Sequence, residues 1–492
     1  MLSARPLHLI SAAGAALALT VLLALLGDAL TRAAVARQGL AAWTDWHDGV
    51  SPWRWALRQP RDVIAGRAFG RGRLAAGADA LALEGWGPVQ VGLRLTHPAP
   101  LAQAPVLQLD LRRSRPWPLT LIVRPALAAP QCTAAAGMLP RRPGTMRVDL
   151  ATLRWRCNGH PAPMPAQAAM LRLAFAPPQR ATIALDWVRL RPPVSPRLEG
   201  PIPLARLRAA PRAPGTVPVV WLPAWFSSRL LAQRDALWRQ HPAAVALPAG
   251  VVPHAVPQRR HAGLRADAAI GACALLMALG ILPSLRRRVP RMTDALQPLL
   301  AMAPVLLIAF GVGDSQAPDL RSGMLILLAL GYALLLARLE PANLRPWRLC
   351  GPASGASLPL LPLLPAAVLW LLQGRHAPQA IELARYLPWA ALQQFLVLAV
   401  VARRLDAALG RRAAAVLAAA ALFALGHAPN TALMLLAFAA ELYWAWCFLR
   451  GGALLPVVLA HALCGTLLQA IASDGGWLRS LAIGARYLGG TG

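Results

Sequence analysis

The stretch Leu392-Gln393-Gln394-Phe395-Leu396-Val397-Leu398-Ala399-Val400-Val401-Ala402, closed by Arg403 and Arg404, decides the class of fold. After Gln394 it is apolar on every face, so it has no wet side in helical or strand register. Such a helix must be surrounded by protein or by lipid. Comparable runs lie on both sides of it. Residues 267–285, 294–313, 322–339, 358–373, 384–402, 413–428, 431–449 and 453–472 are apolar in turn. Most of them approach the ~20 residues a helix needs to cross a bilayer. The composition agrees: 57% of the 492 residues are hydrophobic, only 14% are charged, and the mean hydropathy is +0.47. Soluble domains carry about 25% charged residues. The expectation is a multi-pass α-helical membrane bundle of about eight helices, residues 263–475, with membrane lipid as its first partner.

Ahead of the bundle, Leu9 to Leu26 form another uncharged run behind Arg5 and His8. It is long for a signal-peptide core and reads as an N-terminal transmembrane anchor within residues 1–30. The small residues Ala33 to Ala36 leave cleavage open. Then the period changes. Val89, Val91, Leu93 and Leu95 alternate with Gln90, Gly92, Arg94 and Thr96. The same alternation recurs at Leu107, Leu109, Leu111, at Met146, Val148, Leu150, at Leu171, Leu173, Phe175, and at Ile183, Leu185, Trp187. Period two with Pro and Gly punctuation predicts an all-β sandwich, jelly-roll-like, over residues 31–195. Its tryptophans Trp43, Trp46, Trp53, Trp55, Trp86, Trp117, Trp155 and Trp187 serve as core, or as platforms for a glycan where exposed. Residues 196–262 are rich in Pro and Arg and read as a linker with a short amphipathic helix at 225–239.

Every one of the 50 basic residues is arginine, against 20 acidic ones. No basic helix, finger motif or aromatic-interleaved patch accompanies the charge, which argues against a nucleic-acid partner. Much of it instead marks one side of a membrane. Arg286, Arg287, Arg288 and Arg291 follow the first bundle run; Arg338, Arg345 and Arg348 follow the third; Arg403, Arg404, Arg411 and Arg412 follow the fifth; Arg450 follows the seventh. The positive-inside bias places the N-terminus in the cytoplasm and residues 31–266 outside a bacterial inner membrane. In that compartment a disulfide between Cys132 and Cys157 is permitted, though the sequence does not show that their geometry allows it.

The chemistry concentrates near the C-terminus. Gln393 and Gln394 lie mid-helix, Phe423-Ala-Leu-Gly-His427 precedes a Pro429-Asn430 turn, and Arg450-Gly451-Gly452 leads through Pro456 to His461. This arrangement resembles the CPBP family of intramembrane proteases, the CAAX-processing and bacteriocin-processing enzymes, over residues 383–472. The family carries Glu-Glu-x-x-x-Arg, Phe-x-x-x-His and His-x-x-x-Asn motifs on separate membrane helices. Phe423 and His427 match the second and His461 opens the third. Gln393 and Gln394 stand at the glutamate pair, Leu398 at the arginine and Gly465 at the asparagine. The resemblance implies peptide-bond hydrolysis, a membrane-anchored peptide or protein as substrate, and histidines that orient water and stabilise the oxyanion.

Glutamine cannot act as a general base. Glu441, in the middle of another apolar run, is the candidate substitute, because an ionisable group inside a membrane helix is a functional candidate by default. A structural role facing a histidine or the pore is the alternative. Counted at 1.5 Å per residue, Gln394, Glu441 and His461 lie about 12–14 Å from their cytoplasmic helix ends, and His427 nearer 18–22 Å. A break at Gly426 would be needed to bring His427 level. No cofactor is expected. Two histidines alone are weak evidence for a metal, although Glu441 leaves a third ligand open. The readings are therefore an intramembrane endopeptidase using His427, His461, Glu441, Gln393 and Gln394, or a silent relative whose outer domain binds an envelope glycan or protein.

Overall fold

The computed structural model describes residues 5–207, 215–256, 262–285, 291–310, 312, 320–340, 346–350, 358–374, 376–473 and 476–489. Arg286, Arg287, Arg288 and Arg345, used above for orientation, lie outside the described residues. The chain divides into two compact units. One comprises Met1–Ala33, Trp225–Leu231 and Arg259–Leu488; the other comprises Ala34–Ala224, Ala232–Gln258 and Gly489–Gly492.

The second unit is built on antiparallel strands β1 Arg54–Ala56, β2 Phe69–Ala76, β3 Leu81–Leu93, β4 Val106–Arg113, β5 Pro118–Arg124, β6 Cys132–Met138, β7 Gly144–Asp149, β8 Trp155–Cys157, β9 His160–Ala162, β10 Met170–Phe175 and β11 Ala181–Arg191. The sheet runs β7-β4-β11-β3-β10-β5-β6-β8-β9, with β1 on β11 and β2 on β3. Strand β3 explains its curl. Leu81 to Gly85 pair with β11, while Val89 to Leu93 pair with β10. The change of partner falls at Gly85-Trp86-Gly87-Pro88, where Pro88 has no N–H for a ladder, and opposite an irregularity between Gly70 and Gly72 of β2. The apolar face thereby folds over itself. Leu83, Val91, Leu109, Leu173, Ile183 and Leu190 are fully buried in one core.

One expectation slips by a residue. Ile183 and Leu185 point inward, but β11 carries a register shift between Leu185 and Trp187. Such a bulge reverses the alternation, so Val188 and Leu190 are buried and Trp187 is not. Trp187 instead lies 4.4 Å from the Arg189 guanidinium. Trp46, Trp53, Trp55, Trp117 and Trp155 are core, whereas Trp86 is exposed. Cys132 and Cys157 face each other across β6 and β8 and are bridged.

The expected linker is folded. Within 196–262, β12 Arg197–Pro203, β13 Thr216–Leu222 and β14 Val245–Pro248 form a parallel sheet, with helix Ser227–Gln240 in the connection between β13 and β14. Parallel neighbours require such a crossover. Val217, Val219, Val245 and Leu247 add to the same core as the large sheet.

The first unit is helical. In chain order its helices are α1 Arg5–His47, only the start of which belongs here, α2 Ser227–Gln240, likewise shared, α3 Ala262–Leu285, α4 Arg291–Ala309, α5 Leu320–Arg338, α6 Leu363–Gln373, α7 Ala380–Gln394, α8 Arg403–Leu409, α9 Arg412–Leu425, α10 Thr431–Gly451, α11 Leu455–Ile471 and α12 Gly484–Leu488. A π-helical turn, Phe395–Ala402, joins α7 to α8 without a break. Among the described residues, Ser11–His47, Leu320–Arg338, Ala380–Leu409 and Thr431–Gly451 are long and apolar enough to cross a membrane. The other expected spans appear as shorter apolar helices. Large apolar side chains stand exposed along them, among them Leu275, Leu327, Leu334, Leu371 and Leu372. A soluble surface rarely carries so many together, and lipid is the solvent that suits them.

α1 is docked to this bundle by both packing and polar contacts. Leu23 packs with Ala420, Met434 and Phe438. A side chain at Gly27 would overlap Thr431. The carboxylate of Asp28 accepts from the Thr431 hydroxyl and from the Ser227 N–H, each at 2.9 Å. On the far side, Arg403 and Arg404 are buried and satisfied. Arg403 reaches Glu340 Oε1 at 2.7 Å, and Arg404 reaches Gln297 Oε1 at 2.7 Å and the Leu336 carbonyl at 2.6 Å. These two arginines therefore fasten helices together besides carrying charge.

Candidate active site

Four chain segments carry the polar residues singled out by the sequence. α7 runs from Tyr386 past Pro388 to Gln394 at its end. α9 stops at Leu425, and Pro429 keeps the chain from continuing as helix, which places His427 in the turn. Asn430 restarts the helix by accepting the Leu433 N–H at 3.3 Å, the usual role of an N-cap. α10 carries Glu441 at its middle, and α11 carries His461.

Gln394, Glu441 and His461 form a hydrogen-bonded cluster inside the protein. The Gln394 amide nitrogen lies 3.0 Å from Glu441 Oε2 and 3.0 Å from His461 Nδ1. Its two N–H groups thus serve a carboxylate and an imidazole at once. Gln394 and Glu441 are fully buried and His461 nearly so. The other face of His461 meets a residue that sequence reasoning missed: Tyr386, whose hydroxyl lies 3.1 Å from Nε2. Its signal could not be read along the chain, because it lies ahead of the glutamine pair and matches no motif. Trp444 and Phe423 wall the imidazole at 5.3 and 5.6 Å between ring centres.

His427 stands outside this cluster. Its Nδ1 lies 2.8 Å from the Phe423 carbonyl. That nitrogen must donate, so Nε2 is the acceptor in the neutral ring. The histidine caps the last turn of α9, and it also lines a cavity of about 260 Å³ together with Gln393, Phe423, Trp389 and Leu396. Phe423 touches both imidazoles, at 4.7 Å for His427 and 5.6 Å for His461. α9 does end before Gly426, yet His427 forms no hydrogen bond with Gln394, Glu441 or His461 among the described residues.

Acceptor atoms remain over. Gln393 Oε1, Gln394 Oε1 and Glu441 Oε1 are buried and have no hydrogen-bond partner among the described residues. Buried acceptors of this kind are normally satisfied, and water is the smallest donor that can do so. Among the described residues no three His, Cys, Asp or Glu side chains converge as metal ligands. His461 is engaged at both nitrogens, by Gln394 and Tyr386.

No curated protein matches the chain. A solved structure similar to part of it is the Family 11 Carbohydrate-Binding Module from Clostridium thermocellum in complex with beta-1,3-1,4-mixed-linked tetrasaccharide, at 9% identity and a TM-score of 0.21, covering 26% of this chain and 85% of the module. Residues 385–467 match the family model of the type II CAAX prenyl endopeptidase Rce1-like proteins. That segment contains Gln393, Gln394, His427, Glu441 and His461, and over it the chain is similar to the CAAX-protease family.

Proposed function

We propose that the helical unit is an intramembrane endopeptidase in which Glu441 supplies the base that the glutamine pair cannot. The observation that carries this reading is the Gln394 amide holding Glu441 Oε2 and His461 Nδ1 together in the interior, with Glu441 Oε1 left without a donor. A water bound there would be activated by proton transfer to the carboxylate. Gln394 cannot take the proton, but it fixes the carboxylate and the imidazole relative to each other. The apolar cavity beside Phe423 suits the hydrophobic part of a membrane-anchored peptide, and Gln393 and His427 at its wall supply polar contacts for the peptide bond. A donor aimed at the developing oxyanion is the part of such sites that contributes most to rate. The enzyme would sit in a bacterial inner membrane with residues 31–266 outside, a placement that the Cys132–Cys157 bridge favours.

A second reading is favoured by the glutamine pair itself. Here the bundle is silent and holds a membrane peptide or subunit, while the outer sheet domain binds an envelope glycan or protein through exposed aromatics such as Trp86. Purified full-length protein in liposomes, offered membrane-anchored and lipidated peptides, separates the two. Glu441→Gln is expected to lower turnover about 10²- to 10⁴-fold. Equal cleavage by wild type and Glu441→Gln removes the carboxylate from the mechanism. Cleavage lost in His461→Ala but kept in Glu441→Gln would point back to the glutamines.

A further inference from the structure

We infer that Tyr386 is the positioning residue for His461, and that Gly465 has no side chain because the Tyr386 ring occupies that place. The inference deepens the reading of His461 as part of a working site and rests on it. Two observations carry it. The first is the double engagement of one imidazole. Nδ1 receives an N–H from Gln394 at 3.0 Å, so in the neutral ring the proton sits on Nε2, and Nε2 lies 3.1 Å from the Tyr386 oxygen. Both partners come from α7, so one helix grips opposite edges of the ring and fixes its tautomer.

The second observation is steric. Gly465 follows His461 by one helical turn and so shares its face of α11. A Cβ there would lie 3.0 Å from Tyr386 Cζ and closer still to the adjacent ring carbon. No side chain fits while the phenol keeps its position. The ring planes of Tyr386 and His461 meet at 85°, which directs the hydroxyl at the edge of the imidazole. Where the resembling family carries a side chain on the last helix, this chain carries one on α7 and clears space for it. Tyr386 acts through His461, and its hydroxyl is placed to accept the Nε2 proton as a hydrogen bond.

The test is ¹⁵N NMR of histidine-labelled full-length protein in micelles, with the His461 signals identified by their loss in His461→Gln. Wild type should show Nε2 protonated and Nδ1 bare. Tyr386→Phe keeps the ring over Gly465 and removes only the acceptor, so the Nε2 signal should shift and the tautomers mix. Gly465→Ala keeps the hydroxyl but displaces the ring, and should reproduce the same change. Leu467→Ala, on the same helix, should leave it alone. With a cleaved peptide in hand, Tyr386→Phe should lower kcat roughly three- to tenfold with KM unchanged. Tyr386→Ala/Gly465→Asn should recover the loss, because alanine vacates the place of the ring and the amide oxygen replaces the phenol as acceptor. His461 signals unchanged in both Tyr386→Phe and Gly465→Ala, or a wild-type ring protonated on Nδ1, overturn the inference. Absence of cleavage by wild type counts against the protease reading alone, since the tautomer experiment needs no turnover.

Discussion

Replacing Gln394 by Leu removes two hydrogen bonds from one buried amide, and the cost can be worked from the geometry. Leucine has comparable volume and donates nothing. Glu441 Oε2 and His461 Nδ1, each 3.0 Å from the amide nitrogen, then lose their donor. An orphaned buried acceptor costs about 1–3 kcal/mol. Hydrogen bonds between membrane helices measure lower, about 0.6 and at most ~1.7 kcal/mol each, because the unfolded chain also finds partners there. Two such bonds give an expected loss of about 1–3 kcal/mol for Gln394→Leu. In a Glu441→Leu background the carboxylate is already gone, so the same change should cost about 1 kcal/mol less. The assay is reversible unfolding of the full chain in mixed micelles titrated with SDS, followed by tryptophan fluorescence, since Trp444 lies against His461. Costs that add to within about 0.3 kcal/mol across the four proteins would refute the shared hydrogen bond.

Three further expectations follow from other parts of the molecule. His97 stacks 4.1 Å from Trp238 and meets Trp53 edge-on, and burial, aided by Arg234, pushes its pKa down to about 3. The folded domain keeps it neutral while the unfolded chain protonates below its ordinary 6.5, so its contribution is intact above pH 6.5 and shrinks as pH falls toward 3, by up to about 1.4 kcal/mol per unit. Thermal midpoints between pH 7.5 and 4 should fall less steeply in His97→Gln than in wild type, and equal slopes would count against it. The Cys132–Cys157 bridge closes a separation of 25 residues, so its loss in Cys132→Ala/Cys157→Ala should cost the sheet domain about 3 kcal/mol; unchanged unfolding under reductant would show the bridge is not formed. Gly323 lines the cavity, and a Cβ there meets nothing within 4 Å. Gly323→Leu should therefore fold normally, raise KM and lower cleavage of bulky membrane peptides, while a variant indistinguishable from wild type would place the substrate elsewhere.

How much of this could be read along the chain varied with the kind of signal. Alternation found the strands because a half-buried strand writes period two into its residues. It could not reveal that β3 changes partner at Gly85-Trp86-Gly87-Pro88, nor that β11 slips at Leu185, since both depend on what lies opposite. The segment 196–262 reads as a linker for a related reason. Thr216-Val-Pro-Val-Val-Trp-Leu222 is a buried parallel strand, and such strands are apolar throughout rather than alternating. Its prolines and arginines then dominate the composition. At the site, Glu441 was legible because a lone carboxyl in an apolar helix is conspicuous. Gln394 and His461 were legible through the resemblance. Tyr386 was hidden, since its meaning depends on a missing side chain 79 positions later at Gly465.

The π-helical turn at Phe395–Ala402 has a consequence for how this helix keeps time with its neighbours. Upstream, the rotation of α7 is set by Gln394 reaching Glu441 and His461. Downstream, the rotation of α8 is set by Arg403 on Glu340 and Arg404 on Gln297. An unbroken α-helix has one phase and could satisfy only one of these demands. The wider turn holds an extra residue and so offsets the two phases, like a splice between two lengths of thread cut at different angles. Deleting one residue from Leu396–Val401 would restore a single phase and swing one set of contacts through about 100°. The polar cluster and the arginine fastening would then compete for the same helix.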